Sequence, residues 1–253
     1  MNETETIEIY LNSNNATKLY NGVSDCLYTL PNIVIDEKTE KAYINIKSAV
    51  IPYSFYTVND NNNKLFFSID AVNYNITISN GNYNVNTLKN ELKTLLDVET
   101  SLTWTITYNS KTNKFNFKLS FHLFSFLSSS TCFELLGFEN NLTYSTSNNV
   151  LTSTISINLF TVRNIYITSP NFILNNVNAS LHNKSDIIAS IPIKGVQNSI
   201  IFFEDRPYKT IVNHLNNITN LRIILNDEQG NIIDLNHCHY SITLEIHIIK
   251  INK

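Results

Sequence analysis

Apolar and polar residues alternate along most of this chain with the two-residue period of half-buried strands. Thr4–Leu11 sets Ile7, Ile9 and Leu11 on one face. Leu27–Ile35 and Tyr43–Ile51 read as a hairpin across the charged turn Asp36–Lys41, with Ile44, Ile46 and Val50 inward. Pro52 ends that strand. Six further strands are expected at Thr154–Leu159, Val162–Thr168, Ile187–Ile193, Ser199–Phe203, Thr219–Leu225 and Tyr240–Ile249. In the last, Tyr240, Ile242, Leu244, Ile246 and Ile248 face one way, while His239, Ser241, Thr243, Glu245 and His247 face the other.

The period changes once, between Leu65 and Phe138. Leu65, Phe67 and Ile69 alternate, and Asn73–Ile78 pairs back. Val85, Leu88, Leu92, Leu95 and Leu96 then recur at helical spacing, with Asn84 or Asn86 as the N-cap. Leu102, Trp104, Ile106 and Tyr108 face Phe115, Phe117 and Leu119 across the loop Asn109–Asn113. Thr131-Cys-Phe-Glu134 has the form of a capping box before a short helix stopped by Gly137. The order is ββαββα. Merging Thr154–Leu159 with Val162–Thr168 into one bent strand leaves three strands before this module and five after it. Eight strands suit a jelly roll. The expected fold is therefore mainly β: a single jelly-roll sandwich built from residues 1–58 and 149–253, with an inserted ββαββα module at residues 59–148.

Composition agrees with strands. The chain has 41 Asn and 33 Ile but only 5 Gly. Asn tolerates the left-handed backbone best after Gly, so it is expected to make many of the turns. The net charge of −3 and the lack of a basic stripe leave no electrostatic footprint for nucleic acid. No apolar run approaches a membrane span, and MNETETIEIYL has no charged-then-apolar leader. Cys26, Cys132 and Cys238 are odd in number without metal spacing, so three buried, reduced thiols are expected.

Candidate chemistry is thin. His237-Cys238-His239 is the densest ligand cluster, and zinc would need two more ligands close by. Glu245 and His247 lie too far along the strand to supply them. Cys238 is expected on the apolar face of the last strand, as a structural thiol rather than a nucleophile. Glu204-Asp205-Arg206 could pair carboxylates but reads as a charged loop before Pro207. Trp104, Phe115 and Phe117 could stack bases or sugars, yet their alternation suits core packing better. No nucleophile elbow or phosphate-cradling glycine loop is present. No catalytic, cofactor-binding or metal-ligating residue is assigned, and no enzyme is expected.

Several phrases resemble penton-type minor capsid proteins of virophages, Polinton-like viruses and their relatives. They are AVIPYSFYTVNDNNNKLFF at Ala49–Phe67, GNYNVNTLKNELKTLL, YNSKTNKFNF, ELLGF, IIASIPI at Ile187–Ile193 and LRIILNDEQGNIIDLN at Leu221–Asn236. The resemblance implies a single jelly roll forming a pentamer at the fivefold vertices of an icosahedral virion, assembled inside the host cell. Its neighbours there would be a double jelly-roll major capsid protein, and no cofactor or catalytic residue carries over. A trimeric receptor-binding or fibre-head jelly roll is the second reading. An enzyme or sugar-binding module on a β-sandwich is the third.

Overall fold

A computed structural model describes residues 4–35, 40–146, 148–174, 176–178, 183–204, 210–213 and 217–250. The chain divides into two compact units, Met1–Phe55 with Val162–Lys253, and Tyr56–Thr161. The first unit opens with strands β1 (Thr4–Asn12), β2 (Lys18–Leu19), β3 (Asp25–Val34) and β4 (Glu40–Pro52). The second unit holds β5 (Lys64–Ile69), β6 (Val72–Thr77), helix α1 (Val85–Thr100), β7 (Trp104–Asn109) and β8 (Lys114–Leu119). It continues through β9 (Phe124–Phe126), helix α2 (Phe133–Leu136), β10 (Tyr144–Ser145) and β11 (Val150–Thr152). The chain then returns to the first unit. It adds β12 (Asn164–Thr168), β13 (Ile173–Leu174), β14 (Asn176–Asn178), β15 (Asn183–Ser185) and β16 (Ile187–Pro192). Last come β17 (Ile200–Glu204), β18 (Thr210–Asn213), β19 (Asn217–Asn226) and β20 (Ser241–Lys250).

The first unit is a jelly roll. One sheet runs β1-β20-β4, with β17 and β18 pairing successive lengths of β4 on its far side. The other runs β16-β12-β19-β3-β2. Taking β17 and β18 as one position, each sheet has four principal strands, and neighbours are distant in sequence. That is how a jelly roll pairs its strands. The interior is aliphatic because alternation turns Ile44, Ile46, Leu221, Ile223, Leu244 and Ile246 inward, each fully buried.

Counting principal strands alone, β1, β3 and β4 precede the second unit and five positions follow it (β12, β16, β17/β18, β19 and β20), but by a different merger. Residues 154–159 are not a strand, and the doubled position is β17/β18 beside β4. The expected hairpin of Leu27–Ile35 with Tyr43–Ile51 does not form. β3 pairs with β19 and β4 pairs with β20, in opposite sheets. Its turn, Asp36–Lys41, lies largely outside the described residues. Val50 does not face inward either. A bulge opposite Thr243 and Leu244 inserts Lys47, so the buried set shifts from Ile44 and Ile46 to Ala49 and Ile51.

The second unit packs its own core. β5 lies between β6 and β9, while β8 lies between β7 and β11. Leu88, Leu92 and Leu96 of α1 are fully buried against Trp104, Phe67 and Phe117 in this core. Asn84 caps α1: its Oδ1 accepts from the Asn86 and Thr87 amides, and the Thr87 Oγ1 accepts from the Asn84 amide. The box expected at Thr131–Glu134 is absent. Cys132 is the N-cap of α2 without a side-chain bond, because the Thr131 hydroxyl instead accepts from the Lys64 amide. Gly137 does end α2, at φ +79. Residues 149–161, expected in the jelly roll, pack here: Leu151 pairs with Phe117, and the Ser153 hydroxyl donates to the Leu136 carbonyl. Among the described residues, five of the ten non-glycine residues at positive φ are Asn, so Asn makes many of the turns.

Candidate functional site

The candidate chemistry dissolves into structure. His237-Cys238-His239 is a turn before β20 rather than part of a strand, with His237 at φ +62. Cys238 is therefore exposed, contrary to the buried thiol expected, while Cys26 and Cys132 are buried. Burial pushes both of those thiols up, away from the reactive thiolate. His239 contacts the Ser13 hydroxyl through Nδ1 at 3.0 Å, and that oxygen also accepts from the Tyr240 amide. Among the described residues no three His, Cys, Asp or Glu side chains converge as metal ligands. Trp104, Phe115 and Phe117 are fully buried in the core of the second unit, so none of them offers a stacking face. Glu204 ends β17, and Asp205 and Arg206 lie outside the described residues.

Glu245 and His247 join a polar network on the outer face of the first sheet. His247 meets Thr6 Oγ1 through Nδ1 at 2.9 Å. Its Nε2 lies 3.2 Å from both Asn45 Oδ1 and Glu245 Oε2. Lys47 lies 3.1 Å from Glu245 and also pairs with Glu8, so both carboxyls sit below their ordinary range. Each member is satisfied by another member. The network ties β1, β20 and β4 together and presents no vacant ligand.

What the surface does offer is apolar. On the edge of the first unit, β17 turns Ile201 inward and leaves Ile200 at 66% and Phe202 at 62% exposure. Beside it runs a groove of about 440 Å³ with a mixed lining, in which Lys194 and Glu204 stand among Ile191, Pro192, Ile200 and Phe202. β17 and β16 are edge strands, and a bare apolar edge is a template for association.

In the second unit a tip is built from two turns. Asp70 and Ala71, at φ +47 and +69, make the two-residue turn from β5 to β6. Facing them, Phe121 stands at φ +67 and 95% exposure, with Leu123 and Val72 exposed beside it. The turns are latched together. The Asp70 amide donates to the Leu123 carbonyl, and the Asp70 carboxylate meets His122 Nδ1 at 2.6 Å. A left-handed backbone at a bulky residue costs roughly 1–2 kcal/mol. The bonds to Asp70 hold the turn in spite of that cost, and the Phe121 ring stands exposed.

Among the described residues no helix is long and apolar enough to cross a membrane. No protein-family model matches the chain, and no curated protein does. A solved structure does: the mavirus penton protein matches with a TM-score of 0.50 at 11% identity, over 98% of this chain and 100% of that one. The two chains share a fold. The structural likeness thus falls on the kind of protein that the sequence phrases resemble. Sequence reasoning missed both apolar surfaces. Alternation marks Ile200 and Phe202 only as the face opposite Ile201, and nothing in the sequence signals the positive φ of Phe121.

Proposed function

We propose that this chain is a structural virion protein of penton type, five copies of which close a ring at each fivefold vertex of an icosahedral capsid. It would sit there beside a double jelly-roll major capsid protein, after assembly inside the host cell. It works by binding its neighbours, without catalysis, cofactor or metal. The observation that carries this reading is the jelly-roll strand order with a second unit inserted after β4, in a fold shared with the mavirus penton protein over 98% of the chain. Physical chemistry supports it. Only 15% of residues are charged, and Ile200, Phe202 and Phe121 leave apolar surface that a covered capsid position would bury.

Native mass spectrometry of the purified chain tests the reading, alone and mixed with the major capsid protein. A pentamer, alone or formed on mixing, is the expected result. A trimer in both conditions overturns it in favour of a fibre-head protein.

A further inference from the structure

The tip around Phe121 is held by few bonds, and most of them end on one carboxylate. Beyond the Ile69–Phe124 pair of β5 and β9, three non-glycine residues lie in the left-handed region: Asp70, Ala71 and Phe121, at φ +47, +69 and +67. Such backbone persists only where its surroundings hold it. Among the described residues three bonds join the two turns. The Asp70 amide donates to the Leu123 carbonyl at 3.1 Å. The Leu123 amide donates to Asp70 Oδ1 at 3.3 Å, and His122 Nδ1 meets Asp70 Oδ2 at 2.6 Å. Two of the three therefore depend on the Asp70 side chain.

The chemistry of the pair fixes where a proton comes and goes. A carboxylate only accepts, so Nδ1 carries a proton whenever it bonds Asp70. Nε2 has no partner among the described residues, and it is the atom that takes or releases the second proton. An ordinary imidazole does so near about pH 6.5. Below that value the pair is an imidazolium against a carboxylate. Above it a neutral ring donates to the carboxylate, and the bond loses one of its two charges. The bond from His122 is also what holds the Asp70 carboxyl below its ordinary range, so the carboxylate keeps its charge in mild acid. Few other charges lie near. β6, β7, β9, β10 and residues 146–149 contain no Asp, Glu, Lys, Arg or His. Lys64 is at the far end of β5, and Lys118 of β8 is exposed with no ion-pair partner among the described residues.

We propose that His122 is a proton-operated latch on this tip, holding Phe121 outward most firmly in mildly acidic water and letting the turn open more often above neutral pH. The tip is thus an apolar surface whose stiffness follows pH. A preorganised loop docks at lower entropic cost than a mobile one, so the same proton favours burial of the Phe121 ring. The latch is built within one chain and stands whether or not copies of the chain form a ring.

Amide exchange of the full chain, followed by NMR between about pH 4.5 and about pH 8 and corrected for the intrinsic pH dependence of exchange, tests it at Asp70 and Leu123. The His122 and Asp70 side chains are 34% and 55% exposed, so solvent screens the pair and the effect is small. Protection is expected to be highest near about pH 5 and to fall about two- to fivefold by about pH 8. His122→Gln keeps a donor but takes no proton, and its profile is expected to be flat. Asp70→Asn is expected to be flat at lower protection. The β7–β8 ladder of the same unit is the reference and should not follow. A flat profile in the unaltered protein, a profile that His122→Gln reproduces, or no protection at Leu123 at any pH overturns the latch. A parallel fall in the β7–β8 ladder overturns it as well, since pH would then act on the whole unit.

Discussion

Arg222 grips Asp25 from the neighbouring strand with two hydrogen bonds, Nε to Oδ1 at 2.7 Å and Nη2 to Oδ2 at 2.8 Å. Asp25 is fully buried and the Arg222 side chain is 32% exposed. Asn21 adds a third donor at 2.8 Å, and the Tyr20 ring lies 4.4 Å from the guanidinium. The pair joins the start of β3 to β19, where the sheet has no hairpin turn to hold it. Arg222→Leu leaves a buried carboxylate without its charge partner, at an expected cost of about 2–4 kcal/mol. The double variant Asp25→Asn, Arg222→Leu is expected to lose less than the single one. Urea denaturation of the three proteins checks this, and equal losses would show that the charge is not what matters.

The same pair sets an acid limit. Burial pushes the Asp25 carboxyl up, but the bonds from Arg222 and Asn21 outweigh burial and hold it below its ordinary range. A group whose folded value is lowered contributes stability above its unfolded value, about 3.9 for Asp, and loses it as pH falls through the folded value. Denaturation midpoints are therefore expected to drop as pH is lowered below about 4. Glu8, Asp70 and Glu245 also sit low, so the comparison with Arg222→Leu isolates Asp25. Without the guanidinium, the buried carboxyl prefers its proton, and the Asp25 contribution reverses sign. Parallel acid dependence in the two proteins would contradict this.

Gly137 is a place where only glycine fits. Its φ is +79, and a Cβ there would meet the Ile155 carbonyl at 2.5 Å and the Ser153 Cβ at 2.9 Å. Gly137→Ala is expected to cost about 2–5 kcal/mol, combining left-handed strain with a backbone clash. Gly230→Ala is the control. Its φ is +87, but nothing lies within 4 Å of the added methyl, so strain alone should cost roughly 1–2 kcal/mol. Thermal unfolding of the two variants checks the difference.

Strand periodicity carried far in this chain because most strands bury one face, as β20 and β19 do. Partner choice was less legible. β3 and β4 are adjacent, alternating and separated by a charged turn, which is all a hairpin needs locally, yet each finds its partner nearly 200 residues away, in β19 and β20. Burial of both sheets' inner faces decides that, and no local window contains it. The bulge at Lys47 escaped for a related reason. It shifts the face of Ala49 and Ile51 without any glycine or proline to announce it. Cys238 was misplaced because alternation in β20 was extended back through a turn that begins at Asn236. The apolar surfaces were not legible at all, since exposure at Phe121 and Phe202 depends on what the fold leaves uncovered.

The second unit should fold by itself if cut at Tyr56 and Thr161. It has a separate core of fully buried side chains, including Phe67, Leu92, Trp104, Phe117 and Phe138. Its two ends also meet, because the Thr161 hydroxyl donates to the Thr57 carbonyl at 3.1 Å. Cuts at residues 59 and 148 would instead remove β11, leaving the edge of β8 bare and Ser153 missing from the Leu136 carbonyl. The 56–161 fragment is expected to unfold in one cooperative transition with dispersed amide resonances, and the 59–148 fragment to be markedly less stable. Trp104→Ala in the longer fragment should cost about 3–5 kcal/mol, since the indole is fully buried between Phe67 and Phe124. A 56–161 fragment that shows helical circular dichroism but no cooperative transition would refute an independent core, and would mean that the jelly roll is needed to order it.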